Sequence, residues 1–488
     1  MKQNSIKKNT VFNGVKTLSS IIFPLITFPY INRVLLPENV GKINFGQSII
    51  SYFALIASLG ITTYAIRECS NVRDDKEKLG DTASQIFSIN IVTTIIAYAA
   101  LGAVLFLYRE LDNYRNLIII QSLIIVATTF GADWLNSAME DFKYITVRTV
   151  VFQLIGLVLM LLCIHRPDDY LKYAVISLVS GAGANVVNVW YRRRYCRVRF
   201  IKEIEWKRHM LPILSLFVML LAQTIFNSMD STMLGLMHGD YEVGIYGIAH
   251  KISNLITQLV ASLLWVIMPR MSYYFAEGDY QQMNKLLRKV LGFNALVGLP
   301  LAVGTFMLSK EIILIIAGDE FSEASSVLQI LMIGFVFTLF GGSFIGNSIL
   351  LPMKREKTFM IVCCITAVIN VITNYIFIPE YGTIAAAGTT AFCALAMLIF
   401  LLFTVDKKVR IERIGRVLLP PVFGCAGIVL ICLIYRGISG LWIRTVASVG
   451  CSALLYGGIA YAGKDELLID FIAELKKKLL GGQGNGSV

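Results

Sequence analysis

One length recurs along this chain and limits what it can fold into. Fourteen apolar runs occupy roughly 11–33, 43–66, 83–107, 117–137, 145–164, 174–190, 211–236, 243–268, 290–308, 324–350, 359–378, 383–404, 417–435 and 441–462. Most come close to the ~20 residues that a helix needs to cross the hydrocarbon core of a bilayer. Membrane β-strands are shorter, about 9–11 residues, and alternate in polarity. With no water in the bilayer, the backbone can be satisfied only in helices or closed barrels. The runs therefore predict an all-α integral membrane protein with about fourteen transmembrane helices. Composition agrees: 56% of the 488 residues are hydrophobic and 16% are charged, against roughly 25% charged in soluble domains.

The net charge of +12 raises the question of nucleic acid, and its distribution answers it. With the N-terminus inside, thirty-two Lys and Arg fall in inside segments and eight in outside ones. That is a positive-inside pattern. It places both termini in the cytoplasm and requires an even number of spans. The densest cluster, "YRRRYCRVRFIKEIEWKRH" at Tyr191–His209, reads as a cytoplasmic loop that fixes topology and touches anionic lipid, with no nucleic acid involved. The tail "KDELLIDFIAELKKKLL" puts Leu468, Phe471, Ile472, Leu475 and Leu479 on one face, as in a helix lying on the inner membrane surface. The first span has no small-residue cleavage site and reads as retained, not as a signal peptide. The nine cysteines lie mostly in apolar runs with no zinc-type spacing, and read as small hydrophobes.

The halves of the chain share a phrase. "NVGKINFGQSI" at Asn39–Ile49 matches "EVGIYGIAHKI" at Glu242–Ile252 at a shift of 203. Val40 pairs with Val243, Gly41 with Gly244 and Ile49 with Ile252. The expected organisation is a six-helix lobe over 1–190, a basic linker at 191–210, a second six-helix lobe over 211–404, two added helices in 405–462 and the tail 463–488. Six spans per lobe make the lobes parallel repeats, as in transporters that bind substrate between lobes. No metal-protease or dinucleotide motif occurs. "GIAYAGKD" at Gly458–Asp465 ends in Asp465 where a phosphate-binding loop needs Ser or Thr. No soluble ATPase domain, large outer loop or Asp-x-Asp motif is evident. These features argue against an ATP-driven pump and a membrane polymerase or glycosyltransferase. No cofactor and no metal are expected.

"FPYINRVLLPENVGKINFGQSIISYFALIASLGITTYAIRE" at Phe28–Glu68 resembles the N-terminal signature of bacterial polysaccharide flippases, a family of the multidrug/oligosaccharidyl-lipid/polysaccharide exporter superfamily. "DWLNSAMEDFKYITVR" at Asp133–Arg148, "DDYLKY" at Asp168–Tyr173 and "MDSTMLGLMHGDYEVGIYGIAHKI" at Met229–Ile252 are similar to further parts of it. The chain departs at Leu36, where the family usually has glycine; its partner at the 203 shift is Gly239. The resemblance implies two six-helix lobes around a cationic central cavity plus two extra helices, and alternating access driven by an ion gradient. The implied substrate is an undecaprenyl-pyrophosphate-linked oligosaccharide moved across the bacterial plasma membrane for O-antigen, capsule or exopolysaccharide. The implied partners are the lipid bilayer, a coupling proton or sodium ion, a polysaccharide polymerase and a chain-length regulator. A peptidoglycan-precursor flippase and a multidrug exporter are alternatives within the superfamily.

A diphosphate calls for fixed cations, and arginine can bind its oxygens in a fork. Ionisable groups in spans default to functional hypotheses. The candidates for substrate binding are Lys16, Arg33, Arg148 and Lys251. For Lys16 and Arg33 the competing reading is snorkelling to head groups. Pro24 and Pro29 lie between these two and are expected to bend or loosen the first span. Arg67 reads as a topology anchor. Asp133 and Glu140 stand near enough in sequence to pair with Arg148 or Lys143. Asp230 and His250 are candidates for the coupling ion or a charge pair, with Asp230 opposite Lys251 as one possibility and a plain interfacial carboxylate as another. Arg444 is expected to snorkel outward.

Overall fold

The computed structural model describes residues 6–264, 267–406, 409–410, 414–463 and 469. Every apolar run is helical over most of its described length, and no strand occurs among the described residues. Eleven helices there are long and apolar enough to cross a membrane. Two of them take in two apolar runs each, because the chain continues through a non-helical residue at Leu36 or Gly382. Apart from Gly463 and Ile469, the expected amphipathic tail lies outside the described residues.

The chain divides into two compact units, Met1–Gly247 with Ile316–Glu320, and Ile248–Ile315 with Phe321–Val488. In the first, the helices are α1 (Ile6–Ser58), α2 (Ile61–Asn71), α3 (Lys76–Leu107), α4 (Arg115–Gly131), α5 (Trp134–Ala138), α6 (Phe142–Cys163), α7 (Tyr170–Tyr191) and α8 (Trp206–Met237). Helix α9 (Asp240–Leu264) starts in the first unit and ends in the second. The second unit continues with α10 (Met268–Ala276), α11 (Tyr280–Phe293), α12 (Leu299–Met307), α13 (Ser309–Ile316), α14 (Ala324–Thr338), α15 (Glu356–Thr404), α16 (Ile414–Tyr435) and α17 (Leu441–Ala462).

Polarity is inverted relative to a soluble protein. Phe403 and Leu454 are 85% and 79% exposed, which suits lipid and not water. The interior of the first unit holds Ser84, Ser88, Asn90, Thr93, Thr94, Asn136 and Asn188. Their partners come from neighbouring helices. Asn90 donates to the Ala57 carbonyl at 2.8 Å, Thr94 meets Thr129 at 2.8 Å and Asn188 donates to Gly131 O at 2.7 Å. Such bonds each contribute roughly 0.6–2 kcal/mol between membrane helices. A hydroxyl ladder joins α1 to α8: Thr232 donates to Ser48 at 2.8 Å and Ser51 to Ser228 at 2.9 Å.

The break in α1 is at Leu36, and the prolines expected to bend it do not interrupt its helical dihedrals. Leu36 has φ 62° and ψ 167°. Pro37 follows it, and the α region is disfavoured for a residue before proline, although Pro24 and Pro29 leave their own predecessors helical. Gly239, the partner of Leu36 at the 203 shift, has φ 94° and also immediately precedes a helix. The same backbone step thus recurs, with glycine in one copy and a strained leucine in the other.

The repeated phrases cross each other. A Cβ on Gly41 would lie 1.7 Å from the Asp240 carbonyl oxygen, and one on Gly244 would lie 2.0 Å from that of Pro37. Pro37 and Gly41 are the partners of Asp240 and Gly244 at the 203 shift. The two contacts are one contact made twice, as a local two-fold relation requires. Asn44 lies against Gly247, its own equivalent.

In the second unit, α14 continues as a π-helix over Leu339–Leu350. The glycines there admit a neighbour. A Cβ on Gly341 would meet Leu398 Cα at 3.1 Å, and one on Gly346 would strike the Phe359 ring. Arg444 pairs with Glu311 at 3.0 Å, with its side chain 24% exposed.

Gly41→Ala and Gly244→Ala are each expected to destabilise the protein by about 2 kcal/mol, the scale of an overpacked contact. The double variant should lose less than the sum, because one separation of the helices relieves both clashes. Thermal unfolding in detergent measures this; full additivity would show that the crossings are independent.

Candidate functional site

Three interactions set α1 beside α6. Thr146 donates to Phe12 O at 2.9 Å, Ser19 to Gln153, and Tyr30 to Ile164 O at 2.5 Å. Each pair is separated by 134 residues. A constant separation means that the helices run parallel and in register, as spans one and five must if spans alternate in direction. This register brings Lys16 to the level of Arg148.

Lys16 and Arg148 line one polar cavity of about 330 Å³ with Asn90, Thr129, Asp133 and Asn185. Asp133 arrives by way of a tight turn. Ala132 ends α4 in the left-handed region at φ 49°, and the short helix α5 follows. Asn136 on α5 donates to Asp133 Oδ1 at 2.7 Å and to Asn188 Oδ1 at 2.8 Å. Gly131 lets α7 approach, since a Cβ there would come within 2.6 Å of Asn185 Cβ.

Arg148 is the deepest charge of the group. Its side chain is 4% exposed, and Nη2 donates to Asp133 Oδ1 at 2.6 Å. Its guanidinium lies over the Tyr144 ring, 5.1 Å from the centroid. Tyr144 in turn stacks on Tyr191 at 3.4 Å. Nε and Nη1 of Arg148 have no hydrogen-bond partner among the described residues. A buried cation is stabilised only when paired and hydrogen-bonded, and here one carboxylate, 34% exposed, uses one of the three guanidinium nitrogens. Lys16 adds a second cation and forms no ion pair among the described residues. With two cations and one carboxylate, the cavity is electrostatically matched to a further anion.

The remaining candidates lie elsewhere. Arg33 is exposed on α1 and donates to Pro29 O at 3.3 Å. Asp230 is buried on α8 and accepts a hydrogen bond from the Tyr246 hydroxyl; Tyr246 does not stand out in the sequence. His250 is half-buried with Asn254 Nδ2 at 3.4 Å, and Lys251 is half-buried on α9. Glu140, one possible partner of Arg148, is instead 2.7 Å from Arg73. Arg67 pairs with the adjacent Glu68 at 3.3 Å. The second unit contains an apolar cavity of about 480 Å³ lined by Leu301, Ile312, Ile428, Val449 and Tyr456 among others. Its lining suits a hydrocarbon chain, in contrast to the charged cavity of the first unit.

Residues 6–275 match the family described as polysaccharide biosynthesis protein, and residues 215–376 match the MatE family. A putative O-antigen transporter of Shigella dysenteriae is 21% identical over 81% of this chain and 99% of its own length. The capsular polysaccharide biosynthesis protein CapF of Staphylococcus aureus is 22% identical over 78% of this chain and 94% of its own. Among solved structures, the lipid II flippase MurJ in an inward closed conformation superposes with a TM-score of 0.75 at 16% identity, covering 94% of this chain and all of that one. At that identity the likeness concerns the fold.

The cavity predicts a response to inorganic pyrophosphate as a probe anion. Asp133→Asn removes the competing charge and is expected to enlarge the thermal shift produced by pyrophosphate in detergent. Arg148→Ala is expected to abolish that shift. Equal shifts in wild type and both variants would mean that the cavity does not take the anion.

Proposed function

Because the chain belongs to the polysaccharide biosynthesis protein family, we propose that it is a flippase for lipid-linked oligosaccharide repeat units. The substrate in this reading is an undecaprenyl-pyrophosphate-linked oligosaccharide, carried from the cytoplasmic to the outer face of the bacterial plasma membrane. The product is O-antigen, capsule or exopolysaccharide, and both termini are cytoplasmic. Transport proceeds by alternating access coupled to a proton or sodium ion, and the chain acts as a transporter, not an enzyme. A polysaccharide polymerase and a chain-length regulator would use what it delivers. The names of the relatives support the glycan assignment.

The observation that carries the reading is the charged cavity holding Lys16, Arg148 and Asp133. A diphosphate needs cations inside a membrane protein, and a planar guanidinium with unused donors suits its oxygens. Arg148 provides those donors and Lys16 a second charge. Tyr144 and Asp133 hold the guanidinium on two sides, which limits the reorganisation needed on binding. When diphosphate binds, it competes with Asp133 for Arg148. Lys251 and Arg33 serve as further cations for the same head group as it moves. Asp230, held by Tyr246, and His250 are the proposed groups for the coupling ion or a charge pair.

Two measurements test this. Deleting the gene should trap completed lipid-linked repeat units on the cytoplasmic face and abolish surface glycan; unchanged glycan in a strain without a redundant flippase would refute the assignment. Complementing a flippase-null strain with Arg148→Ala or Lys251→Ala should reduce surface glycan at least tenfold while the protein still inserts. Wild-type glycan from both variants would remove these residues from the path.

A further inference from the structure

The basic linker between α7 and α8 is a built surface. Of its eight Lys and Arg, Arg192 is buried, with its guanidinium 4.7 Å from the Phe87 ring centroid. The other seven are exposed: Arg193, Arg194, Arg197, Arg199, Lys202, Lys207 and Arg208. Acidic compensation is slight. Glu205 pairs with Arg208 at 3.1 Å, and Glu203 is the other carboxylate in the stretch.

The segment is tied to α3. Arg199 N donates to Ser84 Oγ at 3.2 Å, Ile201 N to Ser88 Oγ at 2.8 Å and Glu205 N to Gln85 Oε1 at 3.2 Å. The ends are fixed too. Tyr191 and Tyr195 both donate to Asp141 Oδ2, at 2.7 and 2.8 Å. Burial, together with that hydrogen bond, pushes the Tyr195 phenol well above its ordinary range, so it remains a donor. His209 is buried between Tyr64 at 2.7 Å and Gln85 at 3.0 Å. Inside these anchors, Tyr195 and Cys196 join the apolar core of α2, α3 and α5.

Three exposed aromatic side chains accompany the charges. Trp190 is in the last turn of α7, Phe200 is in the linker and Trp206 opens α8. Aromatic rings at the ends of membrane helices sit at head-group level. Lysine and arginine there attract anionic lipid, each contributing about fivefold in affinity. A disordered basic tail must be ordered on binding, whereas this segment is already held in place.

We propose that the docked linker 193–208 is a binding site for the phosphate head groups of anionic phospholipids, on the membrane face where the linker lies. Arg197, Arg199 and Lys202 supply the charge, Trp190, Phe200 and Trp206 sit among the glycerol and upper acyl groups, and the α3 hydroxyls fix the backbone. The site does not depend on the identity of the transported substrate.

Native mass spectrometry of the full chain in detergent, titrated with phosphatidylglycerol or with phosphatidylcholine of the same acyl chains, tests it. Wild type should retain phosphatidylglycerol preferentially. The triple variant Arg197→Gln/Arg199→Gln/Lys202→Gln should weaken phosphatidylglycerol binding at least about tenfold and leave phosphatidylcholine unchanged. Ser84→Ala/Ser88→Ala keeps every charge but removes the backbone acceptors, and should weaken phosphatidylglycerol about threefold with no change in thermal stability greater than a few degrees. Equal binding of the two lipids by wild type would overturn the proposal, as would a triple variant that binds like wild type. If Ser84→Ala/Ser88→Ala binds as wild type does, the built site is refuted in favour of a loose cluster of charges. If inorganic phosphate displaces phosphatidylglycerol completely at equal concentration, the site belongs to the free ion.

Discussion

In hydrocarbon, a polar group that finds no partner inside the protein finds none at all. That constraint organises the whole molecule. It turns the apolar surfaces of the helices outward and gathers serines, threonines and asparagines where helices meet. It also determines which charges can be kept. Arg148 is held because Asp133 takes one nitrogen and Tyr144 covers a face, while the short helix α5 and Asn136 hold Asp133 in place. Arg148 keeps two guanidinium nitrogens without a hydrogen-bond partner among the described residues, and a buried polar group in that state calls for an explanation.

The site also shows how a mobile task is built on ordinary packing. Tyr144 lies between Arg148 and Tyr191, and Tyr191 shares Asp141 with Tyr195 in the linker. The cavity's deepest cation and the first turn of the basic linker therefore belong to one continuous stack of rings and hydrogen bonds. An arginine positioned from both sides keeps its fork aimed, which matters more for a planar group than for the point charge of a lysine.

The broad architecture was legible because lipid imposes a length on helices, and the apolar runs mark where they fall. The repeated phrase at a shift of 203 was visible too, but not that its two copies would lie across each other. The cavity was only half legible. Lys16 and Arg148 each stood out as cations in apolar runs, yet nothing in the sequence says that α1 and α6 lie parallel with a constant offset of 134. Asp133 was one of several nearby carboxylates, and the turn at Ala132 decided among them. The pairing of Arg444 with Glu311 was not legible, because the two are far apart in sequence. Pro24 and Pro29 leave the dihedrals of α1 helical, and its one non-helical residue is Leu36, just before Pro37.

The crossing of Gly41 and Gly244 also bears on how such a chain can change over time. In a symmetric dimer of identical subunits, one altered codon alters both sides of the axis, so a residue that strains the crossing is suffered twice. Two similar halves within one polypeptide are free of that doubling. Each copy of the step before the crossing helix is then free to drift alone, and here one copy holds Gly239 while the other tolerates Leu36. The crossing itself permits no such drift, because each glycine makes room for the other helix's backbone. The two-fold likeness is therefore kept where the two helices touch, and is lost a single turn away.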